Sequence, residues 1–407
     1  MTGTARPSTA HRVGVVAVAG TALSGLLAAG LLAPSATAGP PEHTPTPAPH
    51  SPVTALQQEL DALVRDDGYP GALAAVSDVH GRVRDLTAGV GDLATGAPVP
   101  RDGQVRIASN TKTFTATVVL QLVGEGRVGL DEPVETYLPG LVRGEGIDGR
   151  QITVRQLLQH TSGIPDYDEL LVPEWLASGL TRFYEPHDAL ALGLSRPALF
   201  PPGTDFEYSN TNYTLAGLVV QQVTGRPVGE EITRRIIEPL GLRATYWPGE
   251  GEQEIRGRHP HTYFPLDREN PLPVDPGTPL TDVTDQDVSM GWAAGALVSS
   301  PRDLLRFDQA LVDGELLTPD LLAEMQDTVP ADGTVLRGQE EYGLGLQTYT
   351  LSCGGVAWGH GGDIPGAHTR NAVTSDGRGA VVVVTGEPTT EEQAVRLEET
   401  IDTAICG

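Results

Sequence analysis

The chain of 407 residues contains a single lysine, and its position is the first sign of chemistry. Of the 27 basic residues, 26 are arginines and the other is Lys112, which stands three residues after Ser109. At the start of a helix this spacing puts both side chains on one face, with the amine near the hydroxyl. An arginine would serve equally well as a surface charge, but it cannot lose its proton. The pattern therefore indicates a titratable amine at position 112.

Together the two side chains could form an activated nucleophile. A serine hydroxyl attacks weakly until a base takes its proton, and a neutral lysine can be that base. Burial in a cleft lowers the pKa of a lysine and so supplies the neutral form. The start of the helix and the Ser109 N–H would also favour a negatively charged oxygen at this place. By itself S-x-x-K is a weak signal, and a leftover surface lysine is the alternative.

Two later segments carry side chains that suit the same reaction. Tyr208 and Asn210 lie in a Y-S-N segment before a predicted helix. The tyrosine offers a phenol that can relay a proton, and the asparagine an amide that can hold a substrate carbonyl. His360, Gly361 and Gly362 follow an apolar run, where small residues let a substrate backbone lie beside a strand.

S-x-x-K, Y-S-N and H-G-G in this order resemble the serine β-lactamase and penicillin-recognising hydrolase superfamily. The chain looks most like the secreted D-alanyl-D-alanine carboxypeptidases related to class C β-lactamases, from about residue 54 to the C-terminus. The resemblance implies an α+β fold of the β-lactamase/transpeptidase type. Its antiparallel sheet domain would be flanked by N- and C-terminal helices and interrupted by a mostly helical domain. Neither a metal ion nor an organic cofactor is implied.

The resemblance also implies a role for each motif residue. Ser109 would attack the scissile carbonyl and become acylated, with Lys112, alone or together with Tyr208, as the base. Tyr208 would pass a proton to the leaving amine and help to activate the deacylating water. The substrate-binding residues would be Asn210, His360, Gly361 and Gly362, and the oxyanion hole would consist of the backbone N–H groups of Ser109 and Asp363.

Four positions depart from the carboxypeptidase pattern. Gly361 replaces a frequent Thr or Ser hydroxyl, and Asp363 places an anion beside the oxyanion hole. Gln347 stands where an arginine meets the substrate carboxylate, and Met290 where a tryptophan lines the cleft, although Trp292 is nearby. Each change except the last weakens binding of a terminal carboxylate.

Release of a C-terminal D-alanine from peptidoglycan peptides is the leading expectation for the activity. The alternatives with the same nucleophile are a D-aminopeptidase, a D-endopeptidase, a short-chain esterase or a β-lactamase. A non-catalytic sensor is disfavoured, because Ser109, Lys112, Tyr208 and Asn210 are all present. The expected ligand is thus a small peptide, an ester or a β-lactam.

The charge and the N-terminal segment indicate the compartment and exclude some partners. A formal charge of −26 argues against nucleic acid and against an anionic membrane surface. Residues 1–38 predict a cleaved signal peptide, with an apolar run at 13–32 and a small-residue cleavage site at 36–38. An uncleaved anchor helix is the alternative. Residues 39–52 predict a proline-rich linker and residues 53–407 the hydrolase domain. We expect a secreted monomer that has no membrane contact once the signal peptide is cleaved.

Export would place the two cysteines in an oxidising compartment. Cys353 and Cys406 are therefore expected to form a disulfide, with two separate buried thiols as the alternative. The pairing also fits the carboxypeptidase resemblance. His160 is expected to be structural, and His259 and His261 lack the partners of a zinc site.

Hydrophobic periodicity predicts the elements that must position these side chains. Helices are predicted over residues 53–64, 111–123, 154–159, 211–224, 228–237, 301–311, 319–325 and 390–405. Strands are predicted over 72–79, 83–90, 342–351, 356–360, 367–374 and 379–385. Residues 248–279, rich in proline, glycine and charge, are expected to be irregular.

Overall fold

The structure is a computed structural model that describes residues 52–275, 277–331 and 341–407. The predicted signal peptide at 1–38 and the predicted linker at 39–52 lie outside these residues, except for Pro52, which opens the first helix. Within the described ranges, no helix combines the length and the apolar character needed to cross a bilayer.

The described residues form sixteen short or medium strands and twelve α-helices. The strands are β1 Gly71–Ser77, β2 Val83–Asp92, β3 Ala97–Pro98, β4 Val105–Arg106, β5 Arg143–Gly144, β6 Ile147–Asp148, β7 Tyr263–Phe264, β8 Thr281–Asp282, β9 Val298–Ser299, β10 Val329–Pro330, β11 Glu341–Tyr342, β12 Gln347–Thr350, β13 Val356–Gly359, β14 Gly362–Ile364, β15 Ala367–Val373 and β16 Gly379–Val384. The helices are α1 Pro52–Arg65, α2 Thr111–Gly124, α3 Val154–Leu158, α4 Asp168–Ala177, α5 Pro186–Leu194, α6 Asn210–Thr224, α7 Val228–Ile232, α8 Glu238–Leu240, α9 Trp292–Gly295, α10 Pro301–Val312, α11 Pro319–Met325 and α12 Glu391–Cys406.

One antiparallel sheet organises the molecule. Its strand order is β10-β11-β12-β13-β15-β16-β1-β2-β3, and β14 pairs with β15 beside this path. The strands nearest the two ends of the described chain, β1 and β16, are therefore neighbours at the centre, and most of the helices fall between them in sequence. The arrangement confirms the predicted α+β class with an inserted helical region.

Side-chain alternation along the central strands builds a core on each face of the sheet. On β16, Val381 and Val383 join the cluster shared with α2, α6 and α10, whereas Val382 and Val384 join the cluster under α1 and α12. A third cluster, around Tyr167 and Trp175, lies in the helical region. It forms one wall of the cavity described below.

All eight predicted helices are present, with ends within about two residues of those predicted. The helix predicted at 228–237 begins as α-helix but continues as a π-helical turn over Thr233–Ile237. Thr390 caps α12, and its side chain accepts a hydrogen bond from the backbone N–H of Gln393, as expected. Helices α4 and α5 were not predicted.

The single strand predicted at 342–351 was wrong in one respect, because the structure divides it into β11 and β12. A tight turn intervenes, in which the Gly343 N–H donates to the Leu346 carbonyl at 2.8 Å. Gly345 has a left-handed backbone, with φ +76°, and a Cβ there would stand 2.6 Å from the Tyr213 hydroxyl. Backbone conformation and packing thus override the apolar pattern.

The predicted disulfide is confirmed. Cys353, in the loop between β12 and β13, is bonded to Cys406 at the end of α12. The bond attaches the last helix, α12, to the loop between β12 and β13 of the sheet.

Candidate active site

The Ser109–Lys112 pair lies where a short strand turns into a buried helix. A 3₁₀ turn over Ala108–Asn110 connects β4 to α2, and Ala108 has a positive φ of 44°. A backbone hydrogen bond holds the residue that enters this turn, because the Ile107 N–H donates to the Leu297 carbonyl at 3.0 Å. Strand β14 packs against the same turn so closely that a Cβ on Gly362 would stand 2.2 Å from the Ile107 carbonyl oxygen.

Lys112 is fully buried and its amine has three hydrogen-bonding neighbours. Nζ lies 2.6 Å from Asn210 Oδ1, 2.9 Å from the Ala294 carbonyl and 2.9 Å from Ser109 Oγ. Two of these neighbours, the amide and carbonyl oxygens, can only accept. A neutral amine has two N–H bonds, so both are used there and the lone pair faces the Ser109 hydroxyl. This geometry makes Lys112 an acceptor for the serine proton.

The electrostatics supply the neutral amine. Burial lowers the pKa of Lys112 to about 7, against the opposing effect of the nearby carboxylates Asp166 and Asp168. Near neutral pH a large fraction of the lysine is therefore unprotonated. The single lysine of the chain is thus a titratable amine near neutral pH, as the sequence predicted for position 112.

Tyr208 completes the group around the serine. Burial raises the pKa of its phenol well above the ordinary value, although a hydrogen bond with Ser109 acts in the other direction. Lys112 Nζ lies 4.8 Å from the Tyr208 ring centroid. Since the phenol keeps its proton at neutral pH, it can donate and relay a proton, whereas Lys112 is the better base.

His160 supports Tyr208 from behind. Its ring lies 4.3 Å from the Tyr208 ring, centroid to centroid, and its Nδ1 accepts from the Ser209 N–H at 3.1 Å. The side chain is fully buried, and burial holds the pKa of the imidazole well below its ordinary value. These contacts are those of a neutral packing residue, in line with the structural role expected for His160.

Asn210 connects the lysine to two acidic side chains. Its Oδ1 accepts from Lys112, while its Nδ2 donates to Asp168 Oδ2 at 2.8 Å and to Asp166 Oδ2 at 3.1 Å. In this state the amide therefore has no free group with which to hold a substrate carbonyl. The structure shows it orienting Lys112.

His360 lies beneath the site and is 2% exposed. Its Nδ1 is 2.5 Å from the Gly361 carbonyl, which can only accept, so Nδ1 carries the proton. Nε2 then accepts from the Tyr342 hydroxyl at 2.9 Å. Burial, aided by the charge of Lys112, lowers the pKa of His360 to about 3. A neutral ring with both nitrogens engaged is not a cation for a substrate carboxylate.

Asp363 does not stand beside the nucleophile as an isolated anion. Its carboxylate bonds Arg370 Nη1 at 2.8 Å and His368 Nδ1 at 2.6 Å. Burial alone would raise the pKa of Asp363, but these two cations hold it below its ordinary value. Burial likewise opposes ionisation of His368, and Glu387 and Asp363 outweigh it, raising the pKa of His368 to about 9. At neutral pH the anion is therefore compensated.

A cavity of about 270 Å³ opens onto Ser109 and Asp363. Most of its wall is apolar, and its lining also includes the acids Asp168, Asp363 and Glu387. The larger apolar side chains come from α4, from the irregular segment, from the approach to α9 and from the end of β14; they include Val172, Trp175, Leu176, Phe264, Leu272, Val274, Val288, Met290, Ile364 and Pro365. The irregular segment predicted at 248–279 thus contributes part of a binding wall.

Comparison with known proteins agrees with this geometry. The Beta-lactamase family matches residues 56–404, which is most of the chain. The chain therefore belongs to the beta-lactamase family. Penicillin-binding protein 4 of Amycolatopsis lactamdurans is 30% identical over 75% of this chain and 74% of its own length.

Two solved structures of the family are similar over nearly their whole length. A D-stereospecific amidohydrolase from Streptomyces sp. shares 41% identity, with a TM-score of 0.74, over 84% of this chain and 96% of its own. The D-amino acid amidase from Ochrobactrum anthropi SV3, complexed with L-phenylalanine amide, shares 27% identity, with a TM-score of 0.74, over 87% and 97%. The chain is thus a serine hydrolase of the β-lactamase and penicillin-binding superfamily.

The sequence motifs come together in this family member, but the acidic side of the cavity was not foreseen. Asp166, Asp168 and Trp175 were not singled out as site residues, although Asp-Tyr-Asp directly follows the His160 segment. Gln347, expected to matter as a missing arginine, is 2% exposed, and its Oε1 accepts from the Gly361 N–H at 3.2 Å. It supports the H-G-G backbone.

Proposed function

We propose that this serine hydrolase cleaves amides of D-amino acids, through an acyl-enzyme on Ser109. The 2.9 Å contact between Ser109 Oγ and Lys112 Nζ, an amine whose other two neighbours can only accept, carries the catalytic part of the proposal. The choice of substrate is supported by the similar structures of a D-stereospecific amidohydrolase and a D-amino acid amidase. It is also supported by the cavity, whose described lining residues include three acids and no lysine or arginine.

The reaction requires only groups that this chain supplies. Neutral Lys112 takes the Ser109 proton as Oγ attacks the carbonyl carbon, and the backbone N–H groups of Ser109 and Asp363 stabilise the oxyanion. The C–N bond then breaks as Tyr208 donates a proton to the leaving ammonia or amine and takes back the proton held by Lys112. Water, deprotonated by the same groups, hydrolyses the ester and regenerates Ser109.

D-alanyl-D-alanine carboxypeptidase activity is the second candidate, favoured by the similarity to a penicillin-binding protein. Such a substrate places a carboxylate near the site and needs a cation to receive it. The described residues that line the cavity include no lysine or arginine. His368 is the one lining side chain with a raised basic pKa, and both its nitrogens bond carboxylates. The amide of an amino acid meets no such mismatch.

Acylation of Ser109 is the direct test of the mechanism. Intact-mass spectrometry after incubation with benzylpenicillin and with a fluorophosphonate should show one added acyl or phosphonyl group, absent in Ser109→Ala. Lys112→Arg keeps the charge but cannot accept the proton, so its acylation rate should fall by about 10²-fold or more. Arg84→Lys, an exposed exchange of the same pair of residue types, is the matched control and should label like the wild type.

Turnover assays then separate the two substrates. Release of ammonia from D-phenylalanine amide, with little release of D-alanine from a D-alanyl-D-alanine peptide, is the expected result. The opposite preference would favour the carboxypeptidase. Rapid labelling of Lys112→Arg would contradict the assignment of Lys112 as the base.

A further inference from the structure

Among the described residues that line the cavity, Asp168 is the acid with a buried oxygen that lacks a hydrogen-bond partner. It begins α4 and lines the cavity together with Ser109. Its Oδ2 accepts from Asn210, but its Oδ1 is buried and has no hydrogen-bond partner among the described residues. An unpaired carboxylate oxygen is costly to bury, so such an atom indicates a missing donor.

The neighbouring acids do not share this property. Asp363 is bonded by Arg370 and His368, and Glu387 Oε2 lies 2.8 Å from His368 Nε2. Asp166 accepts from Asn210 through Oδ2 and from the Asp168 N–H, at 3.1 Å, through Oδ1. Within the described part of the cavity, Asp168 is therefore the carboxylate that can take a new cation.

Three hydrogen bonds in series connect this carboxylate to the nucleophile. They run from Ser109 Oγ to Lys112 Nζ, on to Asn210, and from Asn210 Nδ2 to Asp168 Oδ2. A cation bound at Asp168 thus joins the same network as the reacting serine. Burial and the adjacent Asp166 raise the pKa of Asp168 well above its ordinary value, as for an anion without its counter-charge.

We propose that Asp168 binds the α-ammonium group of the substrate and restricts this hydrolase to amides with a free α-amine. This inference rests on the proposed function. The carbonyl carbon would lie at Ser109, the ammonium group at Asp168 Oδ1, and the substrate side chain against the apolar wall. Trp175 and Leu176 on α4 are about two helical turns from Asp168, and so the amine site and the apolar wall share one element.

The apolar wall and the amine site together define the substrate class. Three separate contacts around one α-carbon are the minimum needed to tell two enantiomers apart, and the carbonyl, amine and side-chain sites provide them. We therefore infer a bulky apolar D-amino acid, such as phenylalanine or leucine, as its amide or at the N-terminus of a short peptide. An N-acylated substrate would lose the charge that Asp168 receives.

The test compares matched substrates on matched variants. D-phenylalanine amide, N-acetyl-D-phenylalanine amide and 3-phenylpropanamide present the same amide and ring with a charged amine, a blocked amine and no amine. Wild-type kcat/KM should be highest for the first by about 10- to 100-fold, the range expected for one charge-assisted hydrogen bond. This comparison needs no variant and so does not depend on the folding of one.

Asp168→Asn removes the charge and keeps an oxygen that can accept from Asn210. We expect the preference for the free amine, measured as the ratio of kcat/KM for D-phenylalanine amide to kcat/KM for 3-phenylpropanamide, to fall to about 1, whatever change the two amides share. Glu169→Gln, the exposed acid next in the chain, is the control and should keep the preference. An equal loss of kcat/KM for all three amides in Asp168→Asn would show a merely structural role and overturn the inference. A wild-type kcat/KM that does not depend on the amine would also overturn it.

The two proposals fail in different ways. If no amide is hydrolysed and Ser109 is not acylated, the proposed function fails. If amides are hydrolysed but kcat/KM does not depend on whether the amine is free, blocked or missing, only the proposed role of Asp168 fails.

Discussion

At the scale of single residues, the proposed mechanism makes the activity depend on the protonation of Lys112. The pKa of about 7 comes from burial, and the lysine acts as a base only after losing its proton. Arg155, by contrast, bonds Asp131 at 2.7 Å and Glu324 at 2.7 Å, a fork that lysine cannot reproduce. The chain thus uses arginine for ion pairs, and its one lysine lies where a proton must be removed.

The pH profile of kcat/KM is the corresponding prediction. Activity toward an uncharged nitrophenyl ester should rise with pH through about 7, as Lys112 becomes neutral. It should fall again as pH passes about 9, because His368 then loses its charge and leaves Asp363 less compensated beside the oxyanion. His368→Asn should therefore be slower near pH 8 and lack the alkaline limb, while keeping the acid limb. A profile without a rise near pH 7 would contradict the role of Lys112.

The sequence predicted that the motif residues would lie together, but it did not predict their acidic partners. Ser109 and Lys112 are three apart on one helix, so their contact follows from local geometry. Asp168 and Asn210 are separated by 42 positions, and their hydrogen bond depends on the docking of α4 beside α6. No periodicity encodes such a contact.

At the scale of elements, the predictable segments are those with a regular apolar pattern. Strand β16, Gly379–Val384, is buried at every residue and was predicted with its ends nearly correct. Strand β14, Gly362–Ile364, is three residues long and has no pattern to recognise. Its position is determined by a glycine that fits against the nucleophile turn, a contact visible only in the folded chain.

Gly362→Ala should therefore damage both the sheet edge and the active site. The added Cβ would stand 2.2 Å from the Ile107 carbonyl oxygen and 2.5 Å from Asn110 Nδ2. Neither this backbone group nor this buried side chain can move away to make room. We expect destabilisation by about 1–3 kcal/mol and a large loss of acylation, because β14 presents the Asp363 N–H. Thermal unfolding and intact-mass labelling measure the two effects.

The matched control is a glycine without a rigid neighbour. A Cβ on Gly249 would meet only the flexible Glu252 side chain, at 3.2 Å, and Gly249→Ala should label normally. If Gly362→Ala labels as fast as the wild type, the close packing of β14 does not support the oxyanion hole.

At the scale of the whole molecule, the two ends of the domain meet on one face of the sheet. Helices α1 and α12 share the core cluster that contains Val382 and Val384. This closure was foreseen in outline, because strands near both ends of a chain with helices between them predict a sheet assembled from both ends. The order of the strands and the separation of the two core clusters were not predicted from the sequence.

The disulfide should strengthen this closure without affecting the chemistry. Cys353 and Cys406 are 53 positions apart, and a loop of this length implies a stabilisation of about 4 kcal/mol on the chain-entropy model. In the folded state α12 has other attachments at the same end, since Ser352 N–H donates to Asp402 Oδ1 at 2.7 Å and Arg378 Nη1 to the Ile405 carbonyl at 2.8 Å. None of these residues lines the active-site cavity.

The double variant Cys353→Ala/Cys406→Ala should therefore fold and label at Ser109 at the wild-type rate at 25 °C. Its free energy of unfolding should fall by about 2–4 kcal/mol in denaturant titration. A reducing agent should lower the midpoint of the wild type toward that of the variant and leave the variant unchanged, which separates loss of the bond from loss of side-chain packing. Equal stability with and without the bond would mean that the polar attachments of α12 alone hold the C-terminal helix on the sheet.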